Sequence, residues 1–177
     1  MKKTTRLVLA AALLVTGAAH AGTKALGFEL GVTTVDQLRS SIGGQTQVTD
    51  AGENSYSAGP MLKTDGSGYG IQGLSSVLYI FDPDKKLAGI LMNMDKHRFN
   101  AIFQMLAGKY RVTAQERPFV GNKFARFKTE DSIIEVDAPH LSFDMEVTYL
   151  RNDLMQKFTA ASAAEAAAKK RQESAQF

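Results

Sequence analysis

Residues 33–44, TTVDQLRSSIGG, and residues 97–110, HRFNAIFQMLAGKY, are written to one plan. In the first, Val35, Leu38 and Ile42 fall on a single helical stripe, Thr33 with Asp36 supplies an N-terminal cap, and Gly43-Gly44 is placed to end the helix in a left-handed conformation. In the second, Phe99, Ile102, Phe103 and Leu106 form the stripe and Gly108 stops it. Moving Val35, Leu38, Ile42 and Gly44 forward by 64 gives Phe99, Ile102, Leu106 and Gly108, and the same shift carries Val48-Thr49 onto Val112-Thr113. A shift that holds over so long a stretch predicts a repeated unit.

Each helix is followed by strand signals and then a hairpin. SVLYIFDPDKKLAGILMNM, residues 76–94, alternates apolar side chains on either side of DPDKK, where Asp followed by Pro favours a type I turn. Shifted by 56, Pro83 lands on Pro139, Val77 on Ile133, Leu87 on Phe143 and Leu91 on Val147, so SIIEVDAPHLSFDMEVTYL, residues 132–150, predicts a second hairpin of the same plan. The fold expected is α+β: two helix-plus-antiparallel-sheet repeats, about 31–94 and 95–150, within one domain spanning 22–158. A helix carrying Leu150, Leu154, Met155 and Phe158 follows. The Ala-rich residues 159–177 have high helix propensity and little to bury, and predict a projecting or frayed tail.

The N-terminus reads as a secretory signal peptide. Lys2, Lys3 and Arg6 precede the apolar run Leu7 to Val15, which is too short to cross a bilayer, and Ala19-His20-Ala21 suits cleavage after residue 21. The expected location is therefore the bacterial periplasm or the medium, with no membrane span left after cleavage. Removing 21 of the 177 residues leaves 156, a size suited to one core. The chain has no cysteine, so no disulfide supports that core. The formal charge of +3 resides wholly in Lys2, Lys3 and Arg6, and the remainder balances 18 basic against 18 acidic residues. A neutral chain has no overall electrostatic drive toward nucleic acid or anionic lipid.

GSGYGIQG, residues 66–73, ends in G-x-G-x-x-G. A dinucleotide loop needs a helix N-terminus immediately after it to supply amide donors, and LSSVLYIF, residues 74–81, is a strand pattern instead. The expectation is a flexible loop whose Tyr69, with Tyr56 upstream, serves as a contact surface. His97 and His140 lack a clear third metal ligand, and Asp82 and Asp84 are accounted for by the turn around Pro83. Neither a metal nor a cofactor is expected. G-x-S-x-G and S-x-x-K are absent, and a thiol nucleophile is impossible without cysteine. These absences favour a non-enzymatic protein.

Two patterns bear on binding. Lys109, Arg111, Arg117, Lys123, Arg126 and Lys128 precede Glu130, Asp131, Glu135, Asp137, Asp144 and Glu146. Phe143, Met145, Val147 and Tyr149 alternate with Asp144, Glu146 and Thr148, so these last acids should lie on the solvent face and pair across strands with Arg126 or Lys128. The first hairpin is apolar on both faces: Val77, Tyr79 and Phe81 alternate with Leu78 and Ile80, while Ile90, Met92 and Met94 oppose Leu87 and Leu91. Its second face needs cover from the C-terminal helix, the long loop or a partner protein.

The stretch GVTTVDQLRSSIG, residues 31–43, followed by strands and a hairpin and then repeated, resembles the architecture of β-lactamase-inhibitor-like proteins and of small outer-membrane assembly lipoproteins. It also looks like periplasmic proteins of this general plan. The resemblance implies helices on one side of antiparallel sheet; without cysteine it implies neither lipid attachment nor the inhibitors' disulfides. The function expected is binding of an envelope protein through sheet or loop surface, with Tyr56, Tyr69, Met92 and Met94 as candidate contacts. The alternatives are inhibition of a secreted hydrolase through the 56–73 loop, carriage of a small apolar ligand or lipid beside Tyr79, Phe81, Met92 and Met94, and a carboxylate-based hydrolase.

Overall fold

Thr34, rather than Thr33, caps the first helix, α1 (Val35–Ile42): its side chain accepts from the Gln37 amide while the Gln37 side chain returns to the Thr34 amide. The reciprocal pair needs an amide or carboxylate three residues after the cap, which Gln37 supplies and Asp36 does not. Thr33 instead accepts from the Glu29 amide. Gly43 is right-handed, so the helix ends without the left-handed turn that Gly43-Gly44 suggested. The second helix, α2 (Phe99–Ala107), buries the stripe that its spacing predicts: Phe99, Ile102, Phe103 and Leu106.

The computed structural model describes residues 22–174, so the expected signal peptide, 1–21, and the end of the tail, 175–177, lie outside the described residues. The architecture is α+β. A small hairpin, β1 (Lys24–Ala25) and β2 (Phe28–Glu29), precedes α1; β3 (Val48–Asn54), β4 (Gly59–Asp65), β5 (Leu74–Phe81) and β6 (Leu87–Asp95) follow it. The same order then recurs as α2, β7 (Arg111–Glu116), β8 (Lys123–Lys128), β9 (Ser132–Ala138) and β10 (Asp144–Arg151), before α3 (Asn152–Ser174). One eight-stranded antiparallel sheet results, in the order β3-β4-β5-β6-β10-β9-β8-β7, so the two four-stranded halves meet where β6 pairs with β10.

One face of the sheet carries the main core. Val77, Tyr79, Phe81, Ile90, Met92 and Met94 from the first half join Phe127, Ile134, Val136, Met145, Val147 and Tyr149 from the second, beneath Leu38 and Ile42 of α1 and the stripe of α2. The 64 shift preserves burial, since Leu38 and Ile102, or Ile42 and Leu106, are all buried. The 56 shift does not: Val77 is buried and Ile133 only half-buried, and Leu87 is buried where Phe143 is exposed. A strand alternates faces at every residue, so an error of one inverts the comparison. A shift one residue longer carries Val77, Tyr79 and Ile90 onto Ile134, Val136 and Val147, all buried. Leu87 also departs from the simple alternation that would group it with Leu91. The pairing of Ile80 with Gly89 and of Phe81 with Leu87 places an extra residue, Ala88, in β6, and this bulge turns Leu87 into the core.

The hairpin turn forms as its sequence suggests, with the Lys85 amide donating to the Asp82 carbonyl at 2.9 Å. Lys85 then takes the left-handed conformation, φ 60°, that completes the turn. The N-terminal segment is held by Asp131, which accepts from the Thr23 amide at 3.2 Å, the Thr129 hydroxyl at 2.9 Å and the Ser132 hydroxyl at 3.0 Å. Burial by itself raises the Asp131 pKa, but these hydrogen bonds outweigh it and hold the carboxyl below its ordinary 3.8. With the folded value below the unfolded one, the stabilisation is complete above about pH 4 and is lost as pH falls through the folded value. Asp131→Asn is therefore expected to cost about 1–2 kcal/mol at pH 7, discounted for partial exposure. It should also flatten the loss of stability below pH 4, as measured by urea unfolding across pH.

Candidate functional site

The face of the sheet turned away from α1 and α2 is where the candidate surface lies. Its first half is apolar: Ile80 and Ala88 are buried with Leu154 of α3, and Tyr56, Met61, Leu78, Leu91 and Leu150 pack around them. Cover for the second face of the hairpin thus comes from α3 and from the β3–β4 turn. The Tyr56 and Phe158 rings meet edge to face at 5.2 Å between centroids. Leu150 belongs to β10 rather than to the helix, and Leu154 is the one buried side chain of α3. The turn into α3 is fixed by Arg151, which donates to Asp82 at 2.8 Å and to both oxygens of Asp153 at 2.6 and 2.7 Å. Between α3 and the sheet lies a groove of about 290 Å³, walled by Tyr56, Leu91, Phe158 and, on its polar side, Glu135 and Glu146.

Beyond α3 the same face opens into a shallow depression of about 620 Å³ with Leu78 and Leu91 at its floor and Asp137, Asp144 and Glu146 along one wall. Glu146 sits directly across from Asp137, and Asp144 directly across from Asp95. The expected pairing with Arg126 occurs, but to Glu135 at 2.6 Å. The strand order explains the difference: β9 separates β10 from β8, so the acids of β10 are one strand too far from Arg126. Lys63, on the opposite wall, stands on a strand three removed from β10, about 14 Å between backbones at the usual spacing, and forms no ion pair with these acids. Among the described residues, Asp137, Asp144 and Glu146 have no ion pair; Glu146 accepts only from Thr148, two residues on.

The four residues singled out as contacts separate. Tyr56 is on the α3 side, whereas Met92 and Met94 are buried in the main core. Tyr69 also turns toward that core, its hydroxyl 2.8 Å from both the Thr64 and Tyr79 hydroxyls. Burial raises the pKa of Tyr79, and the hydrogen bond to Tyr69 adds to it, so this chain is a neutral structural link. The 66–73 segment accordingly closes the helix side of the sheet, with a single 3-10 turn at Ser67–Tyr69 and the strand β5 directly after it. No helix start stands there to receive a pyrophosphate.

Asp65, Asp95, Asp131 and Asp153 each have a carboxyl held below its ordinary pKa. Hydrogen bonds from Ser67, His97, Thr23 and Arg151 respectively favour their charged forms, the opposite of what a proton donor near neutral pH requires. No group of three or more His, Cys, Asp or Glu that could hold a metal occurs among the described residues, and no helix among them is long and apolar enough to cross a membrane. The chain matches no protein-family model, no curated protein and no solved structure.

Proposed function

We propose that this is a non-enzymatic binding protein of the bacterial envelope, whose outer sheet face receives a partner protein presenting basic side chains beside apolar ones. The observation that carries this reading is Asp137 opposite Glu146, next to Leu78 and Leu91, with neither carboxylate in an ion pair among the described residues. Like charges directly across a pair of strands cost about 0.2–1 kcal/mol, and an incoming Lys or Arg turns that cost into attraction. The apolar floor and the groove beside Phe158 supply area that an ionic contact alone does not.

Stability and binding should therefore move in opposite directions. Asp137→Asn with Glu146→Gln is expected to leave the melting temperature unchanged or to raise it, a gain of up to about 1 kcal/mol. The same pair of changes should abolish retention of the partner when tagged wild-type and variant proteins are compared on envelope extract by quantitative mass spectrometry. A protein retained by the wild type, released by moderate salt and lost with the two substitutions supports the reading. Retention that ignores both the substitutions and salt overturns it. Excising 66–73 is a poorer test, because it would remove the Tyr69 link to Tyr79.

A further inference from the structure

We propose that the β7–β8 loop, residues 117–122, and the β9–β10 turn, residues 139–143, form a tip that inserts into the interface of a lipid bilayer. Seven large apolar side chains are exposed among the described residues, and four of them are here: Phe119 at 101%, Leu141 at 93%, Phe143 at 88% and Val120 at 68%. The two loops are neighbours, for the His140 amide donates to the Asn122 side-chain oxygen at 2.7 Å, and Asn100 and Lys123 line the depressions beside both.

Their exposure is imposed rather than accidental. The Lys96 ammonium has three protons to donate and directs them to the carbonyls of Pro139, His140 and Ser142 at 2.7, 2.6 and 2.8 Å, while the Lys96 amide donates to the Phe143 carbonyl at 3.0 Å. The turn is clamped through its backbone, which leaves Leu141 and Phe143 pointing away from the protein.

A layered distribution of charge selects the partner. At the base of the tips lie Arg117, 4.1 Å above the Phe103 ring, and Lys123, 5.9 Å from the Phe99 ring, with Lys96 beside them. Carboxylates flank this belt: Glu116 precedes Arg117 at the end of β7, and Asp95, bonded to His97, lines with Asp144 the depression on the outer-sheet side of Phe143. Apolar tips ahead of a cationic belt match the order of acyl chain and phosphate headgroup in a bilayer. Convex, mutually separate tips need no shaped pocket in a fluid interface, whereas a protein partner would have to supply one for each. Neutrality of the chain as a whole does not bear on so local an arrangement.

The chain contains no tryptophan, so a single introduced indole reports cleanly. Phe119→Trp and Leu141→Trp are to be made in residues 22–177, which carry the whole core described, with Phe158→Trp, in α3 and packed on Tyr56, as the control. On adding vesicles of phosphatidylethanolamine and phosphatidylglycerol, emission of the first two is expected to shift to the blue and that of the third to stay in place. In flotation, Phe119→Ser with Leu141→Ser should lower the vesicle-bound fraction at least tenfold, since each side chain contributes more than the tenfold equivalent of partitioning. Both positions are exposed, so an unchanged melting temperature will show that the fold is intact. Emission at 119 and 141 that ignores vesicles, or equal flotation of wild type and double variant, overturns the proposal.

Discussion

Gly66→Ala is expected to prevent the protein from accumulating in soluble, folded form. A methyl group at residue 66 would stand 1.9 Å from the Leu74 carbonyl oxygen, 2.4 Å from its carbon and 2.9 Å from the Ser75 nitrogen. None of these is the end of a flexible side chain. They belong to the start of β5, which is hydrogen-bonded to β4 on one side and β6 on the other, and the Gly66 amide itself donates to the Ser75 carbonyl at 2.9 Å. Relief would require moving a central strand, so the cost should exceed about 4 kcal/mol, a large part of the stability of a domain this size. Gly44→Ala is the control: nothing lies within 4 Å of the added methyl, and its effect should stay within about 0.5 kcal/mol. Soluble yield of the two variants, and the urea midpoint of whatever folded protein is recovered, decide the matter. Similar values for both would mean that residues 66–74 do not cross as described.

The same geometry explains why G-x-G-x-x-G occurs here without a nucleotide. A side chain at Gly68 would meet the Gln45 carbonyl at 2.5 Å, and Gly73 has φ 80°. Close approach and a left-handed backbone are the two reasons a chain uses glycine, and both arise wherever a loop is pressed against its own fold. A motif defined by glycines alone reports that pressure; whether a helix or a strand comes next tells whether a phosphate causes it.

Legibility in the sequence followed the size of each periodic signal. Helical stripes tolerate small errors in phase, so α1, α2 and the recurrence by 64 were readable from Leu38, Ile42, Ile102 and Leu106. Strands do not tolerate them. The comparison by 56 matched Pro83 to Pro139 correctly as turns, yet placed buried Leu87 on exposed Phe143, because a turn fixes position only to within a residue and a bulge at Ala88 is silent in the sequence. The β1–β2 hairpin was missed for another reason: two-residue strands have no period, and the left-handed Leu26-Gly27 turn that joins them is unusual for leucine.

For the candidate surfaces, the apolar second face of the first hairpin was visible as Leu78, Ile80 and Leu91, but its cover depended on where α3 would turn. Asp137 and Glu146 were visible as acids; their opposition depended on the register of the β9–β10 pair, and the distance of Glu146 from Arg126 on the strand order, which places β9 between β10 and the basic strand β8. The exposed tips did carry a signal. Phe119-Val120 sits between Pro118 and Gly121, and Leu141 follows Pro139 by two residues, so large apolar side chains stand inside turn sequences where no core can reach them.

Leu154→Ala tests how α3 governs the outer face. Truncating a buried leucine costs about 2–5 kcal/mol when the whole fold must absorb it. Here another route exists, because from Gln156 to Ser174 the helix is exposed and its attachment rests on Leu154 against Ile80 and Ala88, helped by Phe158 on Tyr56 and by Arg151. Once the cavity costs more than docking is worth, the first turns of α3 detach and the sheet remains. Amide exchange in residues 154–158 is thus expected to accelerate about thirtyfold or more, the equivalent of 2 kcal/mol, while β5, β6 and β10 keep their protection. Equal loss of protection across the sheet would instead make α3 part of the global folding unit. Detachment would uncover Ile80 and Leu91 beside the opposed carboxylates, enlarging the apolar part of the proposed partner surface without altering its charge. Partner retention by Leu154→Ala should then persist and remain sensitive to salt, because Asp137 and Glu146 hold their places on strands that do not depend on the helix.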